Sequence, residues 1–98
     1  TPCAALGAVA AGAQAVKVFP AEMIGPKSLA SWRSVIPDTL PLLPVGGIDS
    51  HNMADYWQAG AAGFGLGSAL YKPGKSLGDI SASATKLVWS ATSLTKTL

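Results

Sequence analysis

Several whole classes of protein are excluded by what this sequence has little of. It carries one cysteine, Cys3, among 98 residues. That rules out an internal disulfide framework and a cysteine-based zinc site, and Cys3 reads as a small buried apolar side chain. Only 12% of the residues are charged, with seven basic against five acidic groups and a formal charge of +2. The basic groups are scattered at Lys17, Lys27, Arg33, Lys72, Lys75, Lys86 and Lys96, and no run of them would track a phosphate backbone. Nucleic acid is therefore not an expected partner. No apolar stretch approaches the roughly 20 residues that span a bilayer, so no membrane contact is expected. No segment resembles a signal peptide. These absences point to a reducing, cytoplasmic setting. The chain opens at Thr1 without a methionine, which leads us to expect a piece of a longer polypeptide. At 49% hydrophobic residues the chain is too apolar to be disordered. Its length suits one domain, residues 1–98.

Short apolar runs alternate with helical periodicity along this domain. Cys3 to Ala11 is rich in alanine and reads as the end of a helix closed by Gly12. Ala15 to Phe19 is a strand candidate stopped by Pro20. From Lys27 to Ile36 the spacing of Leu29, Trp32 and Ile36 predicts a helix ended by Pro37. Leu42 to Val45 is a second strand that runs into Gly46-Gly47. Asp49 or Ser50 then caps a third helix, with Met53, Tyr56 and Trp57 facing inward and Gly60 closing it. A third strand is expected over Ala62 to Leu66, ending at Gly67-Ser68. Ser76 with Asp79 forms a capping-box pattern. Behind it Leu77, Ile80, Ala84, Leu87, Val88, Ala91 and Leu94 recur at steps of three and four, an amphipathic helix. Trp32, Trp57 and Trp89 all occupy helical packing positions and are expected in the core.

The order is α-βα-βα-βα, which argues for a parallel sheet with right-handed crossovers. A closed (β/α)8 barrel needs roughly 200 residues or more. Three strands in 98 residues would make about half of one.

Lys17 interrupts an apolar strand and shares the parity of Ala15 and Phe19, so all three point to one face. A lysine held on a buried strand face is desolvated, which favours its neutral amine. A neutral amine attacks a ketone to form a Schiff base. The competing reading is a lysine that snorkels to solvent or pairs with Glu22. Gly46 and Gly47 follow a strand and precede a helix cap, where backbone N–H groups can face an anion. Gly67 and Ser68 end the next strand in the same way, and phosphate-binding barrels commonly use two such successive loops. The competing reading is that the glycines only permit tight turns. Gly63 to Gly67 is spaced G-x-G-x-G and lacks the rest of a dinucleotide fingerprint. His51 reads as an exposed residue beside a cap, and Glu22 as a solvated loop carboxylate or a proton shuttle. Paired carboxylates, a Ser-His-Asp set and a metal-ligand cluster are all missing.

Three segments together, Ala15-Val16-Lys17-Val18-Phe19-Pro20-Ala21-Glu22, Pro44-Val45-Gly46-Gly47-Ile48 and Gly65-Leu66-Gly67-Ser68, resemble the 2-keto-3-deoxy-6-phosphogluconate/galactonate aldolases. Thr1-Pro2 is similar to the Thr-Pro that follows the fifth strand in that family. The resemblance spans nearly the whole chain and implies the C-terminal half of a (β/α)8 TIM barrel, about strands six to eight. It further implies a usually trimeric class I aldolase, an aldehyde-lyase that cleaves a phosphorylated 2-keto-3-deoxy sugar acid to pyruvate and glyceraldehyde 3-phosphate. On that resemblance Lys17 is the Schiff-base lysine, Phe19 and Pro20 pack around the pyruvyl end, and Gly46, Gly47, Gly67 and Ser68 hold the phosphate. No metal or organic cofactor is implied. Val45 before the glycine pair, and Ile24-Gly25-Pro26-Lys27, resemble the galactonate type, where gluconate-type members tend to carry threonine before Gly-Gly. The family's catalytic glutamate and carboxylate-binding arginine come from earlier strands and have no counterpart here. Two other readings stand beside this one. One is a phosphate-binding half-barrel from another β/α enzyme, similar to the thiamine-phosphate synthases. The other is an inactive truncated remnant that self-associates through its open sheet.

Overall fold

A computed structural model describes residues 1–95; Lys96, among the scattered basic groups, lies outside them. The chain starts with a complete helix, α1 (Pro2–Ala10). The Thr1 hydroxyl caps it by accepting the Ala4 N–H at 3.1 Å, and Pro2 occupies the first turn, where no N–H is needed. Gly12 turns the chain out of the helix at φ +100°, a conformation open to glycine at little cost.

Two short parallel strands follow, β1 (Val16–Val18) and β2 (Leu42–Pro44), with Val16 beside Leu42, Lys17 beside Leu43 and Val18 beside Pro44. Both are trimmed relative to the sequence expectation, and Val45 continues only as a bridge to Gly65. The expected third strand is reduced to that bridge, with the Ala62 N–H donating to Leu42 and the Gly65 N–H to Pro44. Glycine explains the difference. Gly63 and Gly65 bring no side chain to a cross-strand pair, and each carries a larger entropy cost on ordering.

The crossover between the strands is α2 (Ala21–Arg33), longer than expected and kinked at Gly25, where φ is 80° and ψ 159°. Pro26 starts the second segment, as proline does at a first helical position. The predicted start at Lys27 thus found only this second segment. Glu22 lies in the first helical turn rather than in a loop, exposed as expected. Arg33 secures the return to β2, donating to the carbonyls of Leu40 at 2.8 Å and Pro37 at 2.5 Å.

The short α3 (Met53–Gln58) is entered through a reciprocal turn. Asp49 Oδ1 accepts the N–H groups of His51 and Asn52, while Asn52 Oδ1 accepts the Asp49 N–H. The residue at the helix boundary is Asn52, with no side-chain capping bond, so neither Asp49 nor Ser50 caps α3 itself; Asp49 instead holds the turn that leads into it. Gly60 closes the helix at φ +105°. The last element, α4 (Leu77–Thr95), begins as its capping pattern predicts, with Ser76 Oγ accepting the Asp79 N–H at 3.1 Å.

The core lies between the helices and one face of the strand pair: Ala5, Val18, Leu29, Ile36, Leu42, Met53, Tyr56 and Leu87 are all buried. Four expectations fail here. Cys3 is exposed on α1. Leu77, Val88 and Trp89 on α4 are also exposed, Leu77 at 86%. A 3.6-residue pattern marks a helix and its mean apolar face. It does not say how much of that face the neighbouring elements reach, and here they reach Leu87, with Ala91 and Leu94 partly buried. Trp32 and Trp57 are half-buried as expected.

Candidate active site

The alternation of β1 divides its residues cleanly. Val18 is buried toward the helices, while Ala15, Lys17 and Phe19 are exposed on the opposite face. Lys17 therefore shares its face with Ala15 and Phe19, as the parity argument requires. Its ammonium lies 5.0 Å from the centre of the Phe19 ring, within cation–π reach. The expectation of a buried, desolvated lysine is not met. This face of the pair is open, so Lys17 stands in solvent among the described residues.

The open face continues onto β2 through Leu43 and Val45. Gly63 and Gly65 lie against those two side chains: a Cβ added at Gly63 would come within 3.2 Å of a Leu43 methyl, and one at Gly65 within 2.5 Å of a Val45 methyl. Gly46 adopts φ +107°, and a Cβ there would meet the Phe19 ring at 3.2 Å. Gly47 adopts φ +71°, and a Cβ there would clash with the Glu22 side chain, whose own Cβ would lie 2.9 Å away. Both glycines are thus required by backbone conformation and by close approach together. Gly67 differs, since a Cβ there would meet nothing.

The turns after β1 and β2 are tied together. The Ala21 and Glu22 N–H groups donate to the carbonyls of Val45 at 2.8 Å and Gly46 at 3.2 Å. Tyr56, buried on α3, donates its hydroxyl to the Ala21 carbonyl at 2.9 Å. Burial raises the Tyr56 pKa above its ordinary value, and the carboxylates of Glu22 and Asp55 push it the same way. Sequence reasoning placed Tyr56 in the core and missed this clamp, because its partner lies 35 residues away. Pro20, half-buried, precedes α2 directly and follows a cis Phe19–Pro20 peptide.

Three N–H groups remain available at the strand ends. Among the described residues, the backbone N–H groups of Gly47, Gly67 and Ser68 donate to no carbonyl or side chain, while the Gly46 N–H faces the Gly65 carbonyl in the parallel bridge between Val45 and Gly65. The Gly47 carbonyl is taken by Asn52 Nδ2 at 2.7 Å, and the Gly67 carbonyl by the Leu70 and Tyr71 N–H groups. Both turns are therefore held through their acceptors, while the donors of Gly47, Gly67 and Ser68 stay free. Free backbone donors beside glycine turns suit an oxyanion. No group of three or more histidine, cysteine, aspartate or glutamate side chains able to hold a metal ion occurs among the described residues. No helix among them is long and apolar enough to cross a membrane. A cavity of about 390 Å³ between α3, α4 and the segment after Ala61 is lined mostly by apolar side chains and by none of Lys17, Phe19, Gly46, Gly47, Gly67 or Ser68.

A parallel strand pair joined by a crossover helix, a further parallel bridge and glycine turns at successive strand ends fit a TIM-barrel-type α/β fold. Comparison with known proteins specifies the family. A family model for KDPG and KHG aldolases matches residues 1–82. A probable 2-dehydro-3-deoxy-6-phosphogalactonate aldolase of Rhizobium meliloti (strain 1021) is 50% identical over 80 residues, which are 82% of this chain and 38% of that protein. The 2-dehydro-3-deoxy-6-phosphogalactonate aldolase of Escherichia coli (strain K12) is 42% identical over 77 residues, again 38% of its length. A solved structure described as native KDPGal superposes with a TM-score of 0.93 at 35% identity, over 98% of this chain and 47% of that one. A designed, cube-shaped protein cage built by fusing symmetric oligomeric domains also superposes, at TM-score 0.93 and 36% identity, over 99% of this chain and 36% of that one. The chain belongs to the KDPG and KHG aldolase family, and it spans under half the length of these relatives.

Proposed function

We propose that residues 1–98 are the C-terminal segment of a class I aldolase barrel, with β1, β2 and the bridged segment around Gly65 as strands six to eight. The proposed reaction is cleavage of 2-dehydro-3-deoxy-6-phosphogalactonate to pyruvate and glyceraldehyde 3-phosphate. Both curated relatives carry that substrate in their names, and Val45 before Gly46-Gly47 agrees with it. The observation that carries the reading is Lys17 on the open face of the parallel pair, with Phe19 beside it. The family match favours this over a thiamine-phosphate-synthase-like half-barrel.

In the proposed mechanism neutral Lys17 Nζ attacks the C2 ketone, and loss of water gives a protonated imine. A base takes the proton of the C4 hydroxyl, and the C3–C4 bond breaks. Its electron pair moves into the imine to give an enamine, and glyceraldehyde 3-phosphate leaves. Protonation at C3 and hydrolysis then release pyruvate and restore the lysine. The imine is its own electron sink, so no metal or cofactor is invoked. Phe19, Pro20 and Val45 would border the pyruvyl end, and the Gly46-Gly47 and Gly67-Ser68 turns would hold the phosphate through the N–H groups of Gly47, Gly67 and Ser68. The base and the carboxylate-binding arginine are assigned to no residue of this chain. Because Lys17 is exposed, its activation is assigned to further barrel strands or a second copy covering the open face. Assembly into a homo-oligomer is supported by the structural likeness to a cage built from symmetric oligomeric domains, and a cytoplasmic setting is part of the same proposal.

The test is borohydride trapping with pyruvate, followed by peptide mapping. The adduct is expected on Lys17 in preference to the other lysines, and Lys17→Ala should remove it while phosphate binding persists. An adduct retained in that variant would overturn the assignment.

A further inference from the structure

A recess of about 200 Å³ lies beside both proposed phosphate turns, lined by Asp49, Ser50 and His51 before α3, Ala69 after Ser68, and Ser83 and Lys86 on α4. We propose that it is a second anion site, distinct from the Gly46-Gly47 and Gly67-Ser68 turns, for inorganic phosphate or a phosphate monoester.

The first argument is the state of its donors. Among the described residues, the Ser50 hydroxyl, the His51 ring and the Lys86 ammonium form no hydrogen bond or ion pair. Three polar residues, two from the turn before α3 and one from α4, line one recess with their side-chain donors unused. Ser83 adds a fourth donor. Its Oγ accepts from Lys75 Nζ at 3.1 Å, so its own O–H proton is directed elsewhere. Lys75 also brings a second positive charge to the rim.

The second argument concerns Asp49, the one acidic group lining the recess. Asp49 Oδ1 already accepts two backbone N–H groups, from His51 at 2.8 Å and Asn52 at 3.1 Å. Its charge is therefore partly compensated and its orientation fixed by the turn. Lys86 in the lining, with Lys75 bonded to the lining Ser83, faces one carboxylate that is already engaged. A flexible lysine stem acts as a point charge for phosphate, and the volume admits a small phosphate ester, several times the roughly 30 Å³ share of one water. The sequence alone kept these residues apart: His51 read as an exposed cap neighbour and Lys86 as one of several scattered cations.

The probe is inorganic phosphate titrated into the isotope-labelled chain, followed residue by residue through amide and side-chain chemical shifts. Saturable shifts at Ser50, His51, Ser83 and Lys86 are expected. Lys86→Met should weaken that binding roughly tenfold or more, as for the loss of one charge-assisted hydrogen bond, and Lys86→Arg should retain it. Shifts confined to Gly46, Gly47, Gly67 and Ser68 would overturn the second site and leave the proposed substrate-phosphate turns standing. Shifts at the recess alone would support it and remove those turns. The absence of saturable shifts anywhere would overturn both, and an unchanged affinity in Lys86→Met would overturn the role given to the lysine.

Discussion

The two faces of the β1–β2 pair are built from alternate residues of the same short strands, and their environments are opposite. One face presents Val18, Leu42 and Pro44, all buried, to the helices. The other presents Lys17 and Phe19 to solvent, with Leu43 and Val45 only partly covered. The closed face holds the segment together through apolar burial, worth about 25 cal/mol per Å² removed from water. The open face carries the lysine, the aromatic ring and the glycine turns. Stability and chemistry are thereby separated by the period-two geometry of a strand, and a change can strike one and spare the other.

The largest expected effect on stability comes from the closed face. Leu42 is fully buried, and Leu42→Ala should lower the unfolding free energy by about 2–5 kcal/mol, read from denaturant titration. A loss under about 1 kcal/mol would mean that this face is not the core. Gly47→Asp comes next, at the junction of the two faces. A side chain at φ +71° against Glu22 should cost about 1–3 kcal/mol, and the added carboxylate should weaken phosphate binding at the turn. Unchanged phosphate affinity would remove Gly47 from the proposed site.

Tyr56→Phe is smaller still. Losing its bond to the buried Ala21 carbonyl should cost about 1 kcal/mol. Because the folded-state pKa of Tyr56 is raised, the folded chain holds this proton more tightly than the unfolded chain does. Its contribution is complete below the ordinary tyrosine value of about 10 and is lost as pH rises through the higher folded value. Alkaline melting should therefore steepen above pH ~10 in the parent and flatten in Tyr56→Phe; parallel curves would contradict that assignment. The smallest effect on stability belongs to the open face. Lys17→Ala should change unfolding by no more than about 0.5 kcal/mol, although it is expected to abolish the pyruvate adduct. A large destabilisation there would erase the distinction between the faces.

Much of this arrangement was legible in local sequence. Gly12 and Gly60 stop their helices with positive φ because glycine alone among common residues adopts it at little cost. Ser76 and Asp79 marked the start of α4 because a cap is satisfied within one turn. The parity of Lys17 with Phe19 needed only the pleat. The third strand was less legible: Ala62 to Leu66 has a strand's apolar content, but its glycines supply no paired side chains to extend the ladder beyond Val45 and Gly65.

The sequence by itself determined the alternating β/α order, the helix stops, the face occupied by Lys17 and the family, because each depends on neighbours a few residues apart or on a run of adjacent residues. Only the tertiary structure decided that Trp89 and Leu77 face solvent, that Tyr56 clamps the Ala21 carbonyl, that Glu22 lies against Gly47, and that His51 and Lys86 share a recess. Each of those brings together groups far apart in the chain, or depends on which surface a neighbouring element covers. Local pattern has no term for that, because the position of one element against another is set by the packing of all of them at once.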